Sequence, residues 1–431
     1  GPRGHGTRPV RTVTAAALYA LEHVEQRSAF LSICKILLSS KRVGFTVGLN
    51  WDIEEKARMA CNWLGWAAMA LVAAVDAQNS SYTIGAWIPG SPATMLSTMR
   101  PLLEGFLNEE VGQKLSPPVQ FNLVPVDYTA DSSSHTLISE GKLDFLYTLA
   151  GGISCAVIEN GWAVIATRRV RIGDKESGAD GSIVYSLKSN THIQNISDLM
   201  SKRIGMGFIL SATSYQSGFQ LLAESSVHVL KDLDQFVFYG NDFERQFQDV
   251  MAGKIDAGFV SSTWIAENHP DKLDQLIIHR QLHPSYENEE FAFPTSTPLL
   301  PQYGLTVSPR ISWQIKRAVA KALQDLSGSH PAAVTAHVAG FTGPGSYMGV
   351  RATQRTMKIL TMDSRGVSRC ANQWSAVEIW NSFDCSSIPG DFIKISLEES
   401  LAKCGQSGIS CPDGLICFCR PCVVNPETNY F

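Results

Sequence analysis

Between Ser211 and Gly218 the chain reads Ser-Ala-Thr-Ser-Tyr-Gln-Ser-Gly, a hydroxyl-rich loop that feeds an apolar helix beginning near Ser214. Such a loop can cradle an anion. The first N–H groups of a helix have no intrahelical acceptor, the positive end of the helix dipole lies beside them, and Ser and Thr hydroxyls add further donors. Phosphate-like groups and sulfur oxyanions suit it. The same residues also describe an ordinary Ser/Thr helix cap, so the loop alone does not choose. Its candidate ligand contacts are Ser211, Thr213, Ser214, Tyr215, Ser217 and Gly218. None of them is charged, so the geometry of N–H and hydroxyl donors, not net charge alone, is expected to set specificity.

The elements around the loop form two similar cassettes. Residues 82–88 read as an opening strand, 93–106 as an amphipathic helix with Met95, Met99, Leu102, Leu103 and Phe106 on one side, and 121–126 as a second strand. A helix with Leu137 and Ile138 then leads to Glu140-Gly-Lys-Leu-Asp-Phe145, a turn into a buried strand. After the loop the pattern returns as a strand at 236–239, a helix at 243–251 and Ala252-Gly-Lys-Ile-Asp-Ala-Gly258. This internal repeat implies two α/β lobes. Ligands in open α/β sheets sit beyond the carboxyl ends of strands, which adds Tyr128, Thr148 and Gly151 from the first lobe and Ser261 and Ser262 from the second. Asp144 and Asp256, in the repeated turn, read as structural.

This order of motifs resembles the phosphonate-binding branch of the type II periplasmic binding proteins. Within that branch it is most similar to the sensor region of tetrathionate-sensing histidine kinases. The resembling stretches include Gly85-Ala-Trp-Ile-Pro-Gly90, Leu123-Val-Pro-Val-Asp-Tyr128, Asp198-Leu-Met-Ser-Lys-Arg-Ile-Gly205, Phe293-Pro-Thr-Ser-Thr-Pro-Leu299 and Gly340-Phe-Thr-Gly-Pro344, together with the loop and both repeat turns. The resemblance implies a two-lobed α/β fold of the Venus flytrap type over 78–350, with lobe one at 82–183 and 291–347 and lobe two at 184–290. It implies a binding domain that closes on a small oxyanion, a phosphonate, phosphate or sulfur oxyanion, as the input part of a receptor. A membrane-bound kinase or cyclase output domain, or a separate receptor partner, would then read the closure. The alternatives are the substrate-binding component of an ABC-type anion uptake system and an extracellular structural protein with an empty cleft.

Composition supports a large fold and excludes other partners. The chain has 431 residues, 44% of them hydrophobic, enough for two or three domains. Its net charge is −4, and beyond residue 77 there are 27 basic against 34 acidic residues, which argues against nucleic acid. Arg168-Arg-Val-Arg171 is the only basic cluster; on an exposed turn it reads as a solvated face, with charge lent to the anion pocket as the lesser alternative.

An apolar run at 61–75 ends in Val75-Asp-Ala77, the pattern of a signal-peptidase site, and at 15 residues it is short for a membrane span. A cleaved leader at 59–77 is therefore expected, with 1–58 as an upstream extension outside the mature chain, and a secreted or extracellular-face location. A buried helix is the alternative. Asn79-Ser-Ser and Asn195-Ile-Ser are glycosylation acceptors that agree with export.

Cysteine spacing points the same way. Cys370, Cys385, Cys404, Cys411, Cys417, Cys419 and Cys422 crowd the last sixty-two residues, the density of a small disulfide module at 370–431, joined by a linker at 351–369. Zinc is the competing reading because Cys419-Arg-Pro-Cys422 has ligand spacing, but no second well-spaced pair accompanies it. An odd count leaves one thiol free, paired with Cys155, or paired with another chain. Nothing in the sequence calls for a cofactor, and enzyme motifs are missing: there is no Gly-x-Ser-x-Gly elbow, phosphate loop or His-Glu-x-x-His. Cys155 has no base placed near it in sequence and reads as a buried small hydrophobe, not a nucleophile.

Overall fold

The computed structural model describes residues 81–87, 91–126, 134–172, 175–208, 210–286 and 289–362, and beyond them 364, 366–370, 392–394, 398, 416–418 and 422–424. The expected leader at 59–77, the extension before it, Asn79, Tyr128, Cys385, Cys404, Cys411 and Cys419 lie outside the described residues.

Two sheets carry the fold. The first runs, in spatial order, Gly340–Thr342, Ala163–Ile172, Gly304–Val307, Phe145–Thr148, Ser81–Ala86 and Gln120–Pro125. The second runs Leu276–Ile278, Ser182–Leu187, Ala257–Ser261, Arg203–Gly207, Gln235–Gly240 and Ile416–Phe418. Each has parallel strands at its heart, the arrangement that helices on both faces bury, which is why these segments read as near-continuous apolar runs. Ile84, Phe121 and Phe145 are fully buried in the first lobe, and Ile204, Val237 and Phe259 in the second.

The repeat read in the sequence has a common structural job. Gly141 and Gly253 both take left-handed backbone, φ +68° and +69°, at the turn that reverses the helix into the strand. Asp144 then accepts from Thr83 N–H at 2.9 Å, and Asp256 accepts from Arg203 N–H at 2.9 Å. Each carboxylate thus clamps the neighbouring parallel strand of its own lobe, and each holds an arginine, Arg310 on Asp144 and Arg203 on Asp256.

The helix expected at 93–106 starts at Pro92, capped by Ser91, whose hydroxyl accepts from Thr94 N–H at 3.1 Å. At Pro101 it widens into a π turn over Pro101–Phe106, because proline brings no N–H and its ring crowds the preceding turn. The same apolar face continues inward through Leu102, Leu103 and Phe106.

The chain passes between the sheets at a short antiparallel pair, Ala179–Asp180 with Leu300–Pro301. Both passages differ from the expected 183/184 and 290/291. Residues 295–297 stay with the second sheet: Ser296 N–H donates to Ser182 carbonyl at 2.7 Å, and Ser296 Oγ accepts from Val184 N–H at 2.9 Å. Hydrogen bonding by short polar residues, invisible to hydropathy, sets the crossing.

Described residues within 351–369, expected as a linker, form the end of a helix and a strand pair. Helix Met348–Thr356 buries Val350 and Gln354, and strand Leu360–Met362 pairs with Ser368–Cys370. Gln354 Nε2 donates to Gly151 carbonyl at 3.0 Å, and Thr353 Oγ1 donates to Gln220 at 2.5 Å, so this helix touches both lobes. Cys370 is joined to Cys155 on helix Ala150–Asn160. That pairing takes Cys370 out of a self-contained tail module and removes Cys155 as either a buried hydrophobe or a nucleophile. In the tail, Phe392–Lys394 pairs with Cys422–Val424, while Ile416–Phe418, which includes Cys417, forms the outer strand of the second sheet.

Candidate functional site

Loops from the carboxyl ends of strands in both sheets meet around a cavity of about 270 Å³. Trp87 follows Ser81–Ala86 directly, and Leu149 and Ala150 follow Phe145–Thr148. From the second lobe come Ser211 to Thr213 after Arg203–Gly207, Asn241 after Gln235–Gly240, and Ser261 and Thr263 at the end of Ala257–Ser261. Tyr303, Gln302 and Pro301 close the floor from the returning crossover. A cleft beyond the strand ends is where open α/β sheets take ligands.

The anion loop occupies one wall. Ser211 caps its helix by accepting from Ser214 N–H at 3.0 Å, and it lines the cavity beside Ala212 and Thr213, the first residues of the helical segment. The rest of the expected loop set faces inward to the protein instead. Ser214 is fully buried with its hydroxyl against Gly207. Tyr215 packs with tilted rings against Phe219 and Phe238, and Gly218 lies against the Phe259 ring, leaving no room for a side chain. Ser217 is buried and does not line the cavity. The helix places only every third or fourth residue on one face, and the apolar core claims the others.

From the first lobe, Thr148 is buried in its strand. Gly151 lies one residue past the lining and makes a tight approach to Leu210 of the second lobe. Ser261 lines the cavity, whereas Ser262 turns beneath it toward Asp180.

The lining carries charge, contrary to the expectation drawn from the loop alone. Arg168, whose cluster the sequence reads as a solvated face or, as the lesser alternative, a source of charge for the anion pocket, lines the cavity: its guanidinium lies 4.5 Å from the centre of the Tyr303 ring and donates from Nη2 to Gln302 Oε1 at 2.8 Å. The strand Ala163–Ile172 alternates its side chains, so Arg169 and Arg171 turn the other way to Glu176. Gln302 in turn donates to Asp180 at 3.3 Å. Asp180, 4% exposed, also accepts from Ser261, from Ser262 Oγ at 2.6 Å and from Thr263 Oγ1 at 2.8 Å. Burial pushes its carboxyl above the ordinary aspartate range, and the hydroxyls pull against that shift. At the mouth, desolvation likewise raises Glu267, with Arg168 opposing and Asp180 reinforcing. A chain of polar contacts, Arg168 to Gln302 to Asp180 to Ser261 and Thr263, thus runs from the first lobe through the crossover into the second.

Aromatic residues seal the cleft across the lobes. Trp87 of the first lobe stacks on Phe208 of the second, with ring centres 5.2 Å apart and planes 19° apart, and lies parallel to Tyr303 at 6.3 Å. Trp87 and Asn241 stand at strand ends and could have been found by that rule. Asp180, Gln302 and Tyr303 sit at the crossover, which no local pattern marks.

A family model for the periplasmic substrate-binding protein of phosphonate ABC transporters matches residues 86–347. No curated protein matches the chain. Among solved structures, PhnD1 from Prochlorococcus marinus (MIT 9301) in complex with methylphosphonate is 16% identical, over 65% of this chain and 98% of that one, with a TM-score of 0.46. A binding protein component of an ABC phosphonate transporter from Pseudomonas aeruginosa is 14% identical, over 76% and 94%, with a TM-score of 0.48. A Xanthomonas citri protein bound to chloride ion is 14% identical, over 64% and 96%, with a TM-score of 0.48.

Proposed function

The chain belongs to the family of periplasmic substrate-binding proteins of phosphonate ABC transporters, and on that premise we propose that it binds a small phosphonate-type oxyanion between its lobes and hands it to a membrane permease. It is a binding protein and not a catalyst. The family match supports this carrier reading, given above as the alternative, over a sensor that drives a kinase or cyclase. Among the described residues no helix is long and apolar enough to cross a membrane.

The observation that carries the oxyanion reading is the convergence of Arg168 from the first lobe with Ser211 and Thr213 from the second on one cavity. A guanidinium and a helix start supply charge-assisted donors at fixed positions. Because they come from different lobes, a ligand gains all of its contacts only when the cleft is closed, so binding energy becomes a hinge movement. A closed carrier then presents both lobe faces together, a surface the open form lacks.

Isothermal titration of the full chain with methylphosphonate, phosphate and sulfate tests the proposal. At least one should bind with 1:1 stoichiometry, and Arg168→Gln should weaken it roughly ten- to hundred-fold, the loss expected for a hydrogen bond to a charged group. Binding that is unchanged in Arg168→Gln would remove the oxyanion assignment.

A further inference from the structure

The polar groups that line the cavity differ in hydrogen-bond polarity. Arg168 and the helix start at Ser211 can donate to a ligand. The hydroxyls of Ser261 and Thr263 cannot, and Asp180 is the reason.

Asp180 accepts from six donors. Gly181 N–H, Ser262 Oγ and Thr263 N–H reach Oδ1, while Ser261 Oγ, Thr263 Oγ1 and Gln302 Nε2 reach Oδ2. That is the pattern of an ionised carboxylate, which can only accept. A hydroxyl has one proton. Ser261 and Thr263 also touch each other, Oγ to Oγ1, at 2.8 Å, so whichever of them donates to the other, both protons are consumed inside the cluster. Both residues line the cavity, and their hydroxyls have only lone pairs left to offer. Glu267 adds another acceptor at the mouth.

A fully deprotonated oxyanion has only lone pairs of its own. Set against Ser261 and Thr263 it meets oxygen facing oxygen with no proton between, and desolvated acceptors without donors are costly. An oxyanion that keeps an O–H can donate to these hydroxyl oxygens while its ionised oxygens accept from Arg168 and the Ser211 loop. Phosphonates and phosphate complete their second ionisation near neutral pH, whereas sulfate is fully ionised there.

Resting on the reading of this cleft as an oxyanion site, we propose that Ser261 and Thr263 are specificity-determining residues that select oxyanions retaining a proton, hydrogen phosphonate or hydrogen phosphate, over sulfate. Asp180, which also lines the cavity, is a positioning residue: protein donors occupy both its oxygens, and it sets the direction in which the two hydroxyls point.

The test compares methylphosphonate with sulfate, by calorimetric titration of the full chain at neutral pH. Wild type should bind methylphosphonate at least ten-fold more tightly than sulfate. In the double variant Ser261→Ala, Thr263→Val, methylphosphonate should weaken by about ten-fold while sulfate holds or tightens, so that the preference collapses. Donating hydroxyls would instead lose both ligands alike, and that result overturns the proposal. Asp180→Asn replaces two acceptor oxygens by one and an amide donor, which frees hydroxyl protons for the cavity; sulfate should gain affinity several-fold. The double variant decides the matter if Asp180→Asn does not fold. Methylphosphonate affinity in wild type should also decline as pH rises through its second ionisation, with Arg168, Asp180, Glu267, Tyr303 and His337 as the titratable groups of the protein that face the cavity. Equal binding of both anions by wild type defeats this inference alone. Failure to bind any oxyanion defeats the site reading beneath it.

Discussion

A methyl group placed on Gly151 would lie 2.1 Å from the carbonyl oxygen of Leu210. The two residues belong to different lobes, Gly151 near the start of helix Ala150–Asn160 and Leu210 just past strand Arg203–Gly207. No side chain fits between them in the lobe arrangement of this structure, and the obstructing atom is backbone.

Gly151→Ala should therefore wedge the cleft. Overpacking of this kind costs about 1–3 kcal/mol, and the cost falls on the closed state alone, so oxyanion affinity should drop roughly ten- to hundred-fold. The open protein should be no less stable, since alanine is the better helix former by roughly 1 kcal/mol. Titration together with thermal melting separates the two effects. Undiminished affinity would show that ligand binding does not require this contact.

The serines of the anion loop should divide sharply. Ser214 Oγ is buried without a hydrogen-bond partner among the described residues, so Ser214→Ala should leave affinity unchanged and stability equal or up to about 1 kcal/mol higher. Ser211→Ala should lose both the cap on Ser214 N–H, worth about 1 kcal/mol of stability, and a cavity hydroxyl. Denaturant melts and titration of the two variants side by side give the answer.

Asp180 should leave a pH signature on stability. Burial holds its folded carboxyl above about 4, the ordinary value that the unfolded chain retains. The unfolded state then binds fewer protons in that window, so stability falls as pH rises from about 4 through the folded value and levels off above it. Thermal melts from pH 4 to pH 8 should show wild type losing ground to Asp180→Asn over that interval. A wild type that gains ground instead would mean the six donors outweigh burial.

Cys155 and Cys370 close a loop of 215 residues, so reduction or Cys370→Ser should lower stability by about 2–5 kcal/mol, as loss of a long-loop disulfide does. Peptide mapping without reductant should recover the two cysteines on one linked peptide. Finding Cys370 joined within the tail would refute the pairing.

Short-range patterns in the sequence were enough for the lobes. Alternating helix and strand signals, the repeated Gly-Lys-x-Asp turns at Gly141 and Gly253, and the hydroxyl loop at Ser211 are each encoded within a few residues, because left-handed turns, strand periodicity and helix caps are local in origin. Which residues of that loop face a ligand was not so encoded: Ser214, Tyr215, Ser217 and Gly218 were drawn into the core by partners such as Gly207, Phe238 and Phe259 that come from other strands. The charged half of the site was left open by the sequence, which offered Ser261 as a candidate and charge from the Arg168 cluster only as the lesser alternative, and tertiary structure decided it. Arg168, Asp180, Gln302 and Ser261 span 134 residues between the outermost members and meet only because the chain crosses between sheets at Ala179–Asp180 and Leu300–Pro301. Hydropathy and local propensity carry no signal for a hydrogen bond between side chains that far apart; the closure of the two sheets supplies it.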